Sequence, residues 1–432
     1  MAAIIEPYRT VRPGPSPTHE ENAMTRYLLA IAGMIVLIAA APARAQEPIR
    51  VGFLTALTGA LSQPGKEMQN GIELLLQEHR QTLSGRRIEL TVLDTASNPA
   101  IALAKARELV EQRKVHVIIG PLAAFEAYAV APYVNTHRVP MISPSAAADD
   151  LTQRKATAFF VRASSNSSLP TQPFGTYAAK TLGYRKIATI ADDFAFGHEV
   201  VAGFHRAFED AGGQIVQKLW PPLGTTDQGP YISQLRRDVD AVFVGFAGIA
   251  ALRFFKQYED AGLKGKLPLL ANQTAVDESL LRSMGDEVVG VVSTMHYSAA
   301  LDTPANRRFV AAYRQAFGGN DPGYYSVGAY TAGLFLKQGL EKVGGKVEDT
   351  DAFLKAVRAV AIPDAPGGSI ALDRHGNPVH NVYIRRVERK EGRLQNTVIH
   401  TFENVGQFWT YAEAEFLSAP AYSRNHPPCR AC

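Results

Sequence analysis

The chain has 432 residues, 46% of them hydrophobic and 20% charged, which is a globular composition long enough for two or three domains. Its 45 basic and 41 acidic residues leave a net charge of only +4 without a dense Lys/Arg cluster, so we expect no nucleic-acid partner. Both cysteines, Cys429 and Cys432, lie at the C-terminal end, which excludes a thiol nucleophile or a disulfide within the core.

Residues 24–45 are typical of a secretory signal peptide. Thr25 and Arg26 precede an apolar run that ends at Ala43-Arg44-Ala45, the small-residue pattern of a cleavage site. The run is marginal for a membrane span, which needs about 20 apolar residues, so we expect cleavage and export to the periplasm rather than a transmembrane anchor. Residues 1–23 carry acidic residues and prolines, and we interpret them as a non-native extension before a start at Met24.

From Ile49 onward, short apolar strands alternate with amphipathic helices, which indicates βαβ units and parallel sheets. In the first series the predicted strands are 50–56, 88–93, 115–119 and 139–142, and the predicted helices are 66–80, 100–112 and an Ala-rich segment after Pro121. In the second series the predicted strands are 186–191, 214–219, 241–245 and 267–271, with helices between them. A polar stretch at 162–170 separates the two series.

The pattern changes in the last third of the chain. A second break lies near 296–304, and the following segment to residue 361 is predicted to be mostly helical. Antiparallel strands are then predicted at 369–373, 381–388 and 397–402. Beyond Phe416 the chain is rich in Pro and Arg and has no periodicity, so we expect a disordered tail.

Two tight turns, Gly120-Pro121 and Ser143-Pro144-Ser145, follow neighbouring strands of the first series. Open α/β sheets place their ligands at the carboxyl ends of such strands. The unpaired N–H groups at the start of the next helix suit an anionic ligand group. These turns therefore predict a binding site before any side chain is assigned a role.

Several motifs occur in an order and spacing that resemble one family. They are Val51 to Gly59, Asn70-Gly71, the two turns above, Asp192 to Gly197 and Gly323 to Tyr330. Together they resemble the periplasmic solute-binding proteins of ABC importers, in the branched-chain amino acid (Leu/Ile/Val) binding class. The resemblance covers most of the chain after the signal peptide.

The resemblance implies two doubly wound α/β lobes of the type I periplasmic-binding fold, joined by several crossovers, with the ligand cleft between the lobes. It places lobe 1 at residues 46–163 plus 297–377, lobe 2 at 164–296 plus 378–416, and the disordered tail at 417–432. It also implies a binding protein rather than an enzyme. The expected partners are a small-molecule ligand and an ABC permease in the inner membrane, and we expect a monomer without a cofactor or metal.

The expected ligand contacts follow the family motifs residue by residue. They are Leu122, Ala123, Ala124, Ser143, Ser145, Ala146, Phe194, Phe196, Phe246 and Gln273. Where the family places a Ser that binds the ligand carboxylate, this chain has Ala124. Where the family places the acid that pairs with the ligand ammonium, this chain has Gln273, and the family's Tyr is Phe196.

These departures favour a ligand that has no α-ammonium, because a buried ammonium without a carboxylate partner carries a large desolvation cost. We therefore expect a small aromatic or branched carboxylate, or an amide. The alternative is a true amino-acid binder in which Asp192 or Asp193 supplies the charge and the phenylalanines belong to the core. A ligand-sensing receptor or regulator on the same fold is a further alternative.

An enzyme is not expected, because the Gly-x-Ser-x-Gly frame of a nucleophile is missing and the histidines have no metal-binding spacing.

Overall fold

The computed structural model describes residues 7–14 and 46–432. Residues 7–14 form no regular secondary structure, and the helices and strands of the described residues belong to the unit Pro48–Cys432. The predicted signal peptide at 24–45 lies outside the described residues. None of the helices in the described part is both long and apolar enough to cross a bilayer.

Fifteen strands are present in the described part of the chain. They are β1 (Ile49–Thr55), β2 (Thr82–Leu83), β3 (Arg86–Asp94), β4 (Val117–Ile119), β5 (Met141–Ser143), β6 (Phe160–Arg162), β7 (Lys186–Ala191), β8 (Gln214–Leu219), β9 (Ala241–Gly245), β10 (Leu269–Ala271), β11 (Val292–Met295), β12 (Ala361–Ala365), β13 (Gly368–Leu372), β14 (Pro378–Lys390) and β15 (Arg393–Val405).

Twelve α-helices lie between and after these strands in the same residues. They are α1 (Ser62–Glu78), α2 (Pro99–Arg107), α3 (Ala124–Thr136), α4 (Thr171–Lys180), α5 (Ala195–Asp210), α6 (Gly229–Gln234), α7 (Ile249–Asp260), α8 (Glu278–Leu281), α9 (Pro304–Ala316), α10 (Tyr324–Lys342), α11 (Thr350–Arg358) and α12 (Glu413–Ser418). The helix predicted at 100–112 is α2 followed by a π-helical turn, Glu108–Gln112. Asn98 caps the start of α2 by accepting the N–H groups of Ala100 and Ile101.

The strands form two sheets. The first has the order β2-β3-β1-β4-β5-β6, in which β2 is antiparallel to β3 and the other neighbours are parallel. The second has the order β12-β13-β14-β11-β10-β9-β7-β8, with β15 paired to β14. Its strands β7 to β11 are parallel, and β14 runs antiparallel to β11.

The parallel strands carry apolar side chains on both faces of each sheet, which explains why helices cover both faces. Val51 pairs with Val117 and Phe53 with Ile119, and all four side chains are buried. Consecutive apolar residues of this kind are typical of parallel strands that pack on both faces. Separate hydrophobic cores surround the two sheets. The predicted α/β class with two doubly wound lobes is confirmed.

Helices α1 and α10 pack closely against each other on the first lobe. A Cβ atom at Gly71 of α1 would overlap the carbonyl oxygen of Ser326 of α10. Gly71 therefore lets the two backbones approach. Because Tyr324 and Tyr325 begin α10, this packing also fixes the position of their side chains.

The chain passes between the lobes three times in the described residues, after β6, after β11 and after α11. Helices α9 to α11 pack into the core of the first lobe, as the boundary prediction for 297–377 implies. Strands β12 and β13 differ, because their backbones pair into the second sheet while Ile362 and Ile370 pack in the first core. The hairpin thus belongs to the connection between lobes, and the exact lobe boundaries stay a prediction.

Residues 417–432, for which the sequence predicted disorder, contact the second lobe and, through the carbonyl of Ala419, Arg154 of the first. The Arg424 guanidinium pairs with Asp193 at 2.8 Å, and Lys218 donates to the carbonyl of Pro427 at 2.6 Å. A disulfide joins Cys429 to Cys432. Isolated polar and sulfur contacts of this kind leave no periodic pattern in the sequence. For this reason the composition of the segment indicated a loose tail.

Candidate functional site

A small apolar pocket lies between the two lobes, where loops from both sheets meet the start of α10. Its volume is about 30 Å³. The lining residues are Leu61, Leu122, Ala123, Ala124, Ser145, Ala147, Phe194, Phe196, Ala247, Thr274, Tyr324 and Tyr325. Nine of these residues follow β4, β5, β7, β9 and β10, and Leu61 follows β1, so the pocket lies at the carboxyl ends of strands in both sheets.

Six of the ten sequence-predicted contacts line this pocket. They are Leu122, Ala123, Ala124, Ser145, Phe194 and Phe196. The other four are buried beside it: Ser143 ends β5, Ala146 precedes Ala147, Phe246 packs on Phe254 at a ring distance of 5.0 Å, and Gln273 precedes Thr274.

At three of these four positions the next residue along the chain lines the pocket, and contact of any of the ten with a ligand stays a prediction. Ala147, Ala247 and Thr274 line the pocket in place of Ala146, Phe246 and Gln273. Matching motifs along the sequence does not show which residue of a loop faces the pocket, so a shift of one residue is permitted. Sequence reasoning also missed Leu61, Tyr324 and Tyr325, although the two tyrosines lie in a motif that it had singled out.

The wall from the first lobe is held by hydrogen bonds between its two loops. Ser145 Oγ donates to the carbonyl of Leu122 at 2.9 Å, and Tyr324 Oη donates to the carbonyl of Ser145 at 3.0 Å. Glu126 Oε2 accepts the N–H of Ala123 at 3.0 Å, and burial raises the pKa of Glu126. These bonds orient the loops without help from a ligand, so the wall is largely preformed.

The wall from the second lobe is aromatic. The Phe194 and Phe196 rings lie 5.9 Å apart, and Phe194 meets Phe125 of the first lobe edge-on at 6.0 Å. Helix α5 starts tightly after β7, because a Cβ at Gly197 would overlap the carbonyl oxygen of Asp192. Phe194 therefore joins the two lobes directly across the pocket.

Electrostatically the pocket is suited to an anion. Ala124 begins α3 and Phe196 lies in the first turn of α5, so two helix N-termini border the space, whereas the N–H of Tyr324 at the start of α10 is already bonded to Asp277 Oδ2 at 2.6 Å. The N–H groups of a first helical turn have no partner within the helix and carry partial positive charge. Among the described residues that line the pocket, none is acidic.

The two aspartates that an amino-acid ligand would need lie elsewhere. Asp192 is fully buried, its Oδ2 accepts the N–H of Ala247 at 3.2 Å, and burial raises its pKa to about 7. Asp193 pairs with His198 at 2.7 Å and with Arg424 at 2.8 Å. Neither carboxylate lines the pocket.

A larger cavity of about 440 Å³ lies beside α8 and the β14–β15 hairpin. Its walls are polar, and three of its arginines already form ion pairs: Arg282 with Glu67, Arg314 with Asp321 and Arg389 with Asp286. The loops after β4, β5 and β7 do not reach it. We therefore place the candidate site in the smaller pocket, despite its size.

The described residues contain no group of three or more His, Cys, Asp or Glu side chains arranged to hold a metal ion.

Known proteins of this fold resemble the whole described unit. A family model described as periplasmic binding protein matches residues 48–393. Leu/Ile/Val-binding protein homolog 6 of Brucella melitensis biotype 1 is 30% identical over 385 residues, which cover 88% of this chain and 97% of that protein.

Two solved structures from Rhodopseudomonas palustris are also similar. A solute-binding protein of an ABC transporter in complex with 3,4-dihydroxybenzoic acid is 34% identical with a TM-score of 0.79, covering 83% of this chain and 98% of its own. A second solute-binding protein, in complex with p-hydroxybenzoic acid, is 31% identical with a TM-score of 0.78, and the match covers 84% of this chain and 99% of its own. The chain therefore belongs to the periplasmic binding proteins, among the ABC-type substrate-binding proteins of the Leu/Ile/Val-binding family.

Proposed function

We propose that this protein is exported and binds a small aromatic or branched carboxylate between its lobes. It then presents the ligand to an ABC permease in the inner membrane and catalyses no reaction. The observation that carries the ligand class is the character of the pocket, which combines helix N-termini, hydroxyls and aromatic rings with no acidic side chain among its described lining residues.

The carboxylate of such a ligand would face the first lobe. There the start of α3 and the Ser145 loop offer N–H groups with partial positive charge. Ala124 adds no hydroxyl, so backbone donors carry this role. The apolar part of the ligand would then contact Phe194 and Phe196, whose rings favour edge-on or offset aromatic neighbours.

The similar R. palustris structures support an aromatic acid, because both hold hydroxylated benzoic acids. The alternative, a branched-chain amino acid, has support from relatives that carry the name Leu/Ile/Val-binding protein. It requires a partner for the ligand ammonium, and no carboxylate in the described pocket lining provides one. An unpaired buried ammonium is costly, so we favour the acid.

Ligand entry requires the lobes to separate. A volume of about 30 Å³ holds only one or two water molecules, far less than an aromatic acid. Opening would part Phe194 from Phe125 and enlarge the pocket. Hinge motion of this kind around a ligand is a known transition of periplasmic binding proteins.

Isothermal titration calorimetry of the exported chain tests the ligand class. The probes are 4-hydroxybenzoate, 3-methylbutanoate, 4-hydroxybenzamide and leucine. We expect one of the acids to bind at least about 100-fold more tightly than leucine, because leucine brings the unpaired ammonium. Tight leucine binding without binding of either acid would refute the proposal in favour of the amino-acid alternative.

A deletion strain separates transport from sensing. Uptake of the labelled acid at low concentration should fall when the gene is removed and return when the gene is restored. If uptake is unchanged while a response of the cell to the ligand is lost, the protein is a receptor on the same fold.

A further inference from the structure

Glu67 and Arg282 form an ion pair between the lobes, away from the ligand pocket. Arg282 Nη2 of the second lobe lies 2.5 Å from Glu67 Oε1 of α1 in the first. Tyr313 Oη, also in the first lobe, donates to the other oxygen, Glu67 Oε2, at 2.5 Å. The Glu67 side chain is only 5% exposed, whereas that of Arg282 is 37% exposed.

Glu67 is therefore held within its own lobe by Tyr313, and Arg282 is the partner that the other lobe supplies. When the lobes separate, Arg282 moves away while Tyr313 stays. A charge-assisted bond to a largely buried carboxylate is stronger than an exposed surface pair. The pair thus forms only in the closed arrangement and favours it.

The segment that carries Arg282 also reaches the ligand pocket. Thr274 lines the pocket, and a few residues later Asp277 accepts the N–H of Tyr324, another lining residue, at 2.6 Å. Asp277 is fully buried and also accepts the hydroxyl of Ser279 at 2.5 Å. One short segment of the second lobe therefore connects the pocket, the start of α10 and the Glu67–Arg282 pair.

We propose that the Glu67–Arg282 pair is a closed-state latch that sets ligand affinity without touching the ligand. The inference rests on the proposed function in one respect, namely that the lobes close on a ligand. Apparent affinity scales with the fraction of protein in the binding-competent state. A pair that raises the closed fraction therefore lowers the apparent Kd for every ligand by the same factor.

The test measures the Kd of 4-hydroxybenzoate and 3-methylbutanoate for wild type, Arg282→Ala, Glu67→Gln and the double variant. We expect each single variant to raise the Kd about 5- to 20-fold, equally for both acids, and the double variant to add little further. The matched control is Arg389→Ala, which breaks an exposed 2.6 Å pair to Asp286 within the second lobe. It should leave both Kd values unchanged.

Thermal unfolding and small-angle scattering separate a latch from a structural role. Arg282→Ala should keep the wild-type Tm and, without ligand, show a larger radius of gyration. Unchanged Kd values in Arg282→Ala overturn the latch. A loss of affinity in Arg282→Ala equal to the loss in Arg389→Ala also overturns it. If the wild-type protein binds neither acid, the ligand proposal fails. Small-angle scattering then decides the latch, and equal radii of gyration for wild type and Arg282→Ala overturn it.

Discussion

Gln273 is a fully buried side chain whose two amide atoms have no hydrogen-bond partner within the described residues. Buried polar groups are nearly always paired, because an unmade bond costs free energy. Gln273 follows β10 and precedes Thr274, whose hydroxyl donates to the carbonyl of Phe246 at 2.9 Å and which lines the pocket. The family resemblance places the ammonium-pairing acid at this position, so we expect the neutral amide of Gln273 to influence which ligand charge is accepted.

Gln273→Glu changes charge at this position with almost no change in shape. We expect the affinity for 4-hydroxybenzoate to fall at least about 10-fold at pH 8, because a carboxylate near the pocket repels the ligand carboxylate. Calorimetry measures the change, and Gln273→Ala is the neutral control, which should stay within about 3-fold of wild type. Equal affinities for Gln273→Glu and wild type would place this side chain outside the reach of the ligand charge.

At the scale of elements, the pocket depends on helices that start where strands end. Ala124, Phe196 and Tyr324 reach the space because α3, α5 and α10 begin there. The position of α10 in turn depends on its contact with α1 at Gly71 and Ser326. A change far from the pocket can therefore shift the tyrosines that line it.

Gly71→Ala tests this packing. The added Cβ would overlap the Ser326 carbonyl, so the helices must move apart. We expect a loss of about 1–3 kcal/mol in the free energy of unfolding, measured by denaturant titration, together with weaker ligand binding. Gly406→Ala is the control, because a Cβ there meets only Val379 Cγ2 at 4.0 Å. A stable Gly71→Ala variant would show that α1 and α10 tolerate separation.

At the scale of the whole molecule, two buried histidines lie where the chain passes between lobes. The rings of His296, just after β11, and His380, in β14, lie 5.0 Å apart, and the small cavity beside them has walls from both lobes. Burial lowers the pKa of His380 to about 4 and that of His296 well below its ordinary range. Both rings are therefore neutral at physiological pH.

The pH dependence of stability follows from these shifts. An unfolded histidine takes up a proton near pH 6.5, whereas folded His380 does so only near pH 4, so its contribution is present above about pH 6.5 and is lost as pH falls towards 4. Asp192 and Glu278 act in the opposite sense, because burial raises the pKa of each to about 7 and their contribution is lost as pH rises through 7. Wild type alone cannot separate the two effects.

The difference between wild type and His380→Gln isolates the histidine. We expect the wild-type advantage in free energy of unfolding to be constant above about pH 7 and to shrink by on the order of 3 kcal/mol between pH 6.5 and 4. Denaturant titrations at each pH measure it. His137→Gln, which removes a histidine at an exposed position, is the matched control. A constant His380→Gln difference would contradict the buried neutral ring.

Much of the fold could be predicted because periodicity is a local property. The strands 186–191, 214–219 and 241–245 match β7, β8 and β9 residue for residue, since each is a short apolar run bounded by turn residues. The region of the site followed from the same logic, because turns after parallel strands meet at one edge, whereas the individual residues, six of which line the pocket, followed from the resemblance to the family motifs. The single-residue shifts to Ala147, Ala247 and Thr274 could not be predicted, because which residue faces the cleft depends on how the loop packs.

The sequence by itself determined the α/β class, the two lobes and the absence of an acid at Gln273, because these follow from residue identity and local pattern. Only the tertiary structure decided that Tyr324 and Tyr325 join the pocket, that Asp193 pairs with Arg424, and that Arg282 meets Glu67 across the lobes. Each of these contacts joins residues distant in sequence. Such contacts depend on helix packing and lobe closure, which no local pattern encodes.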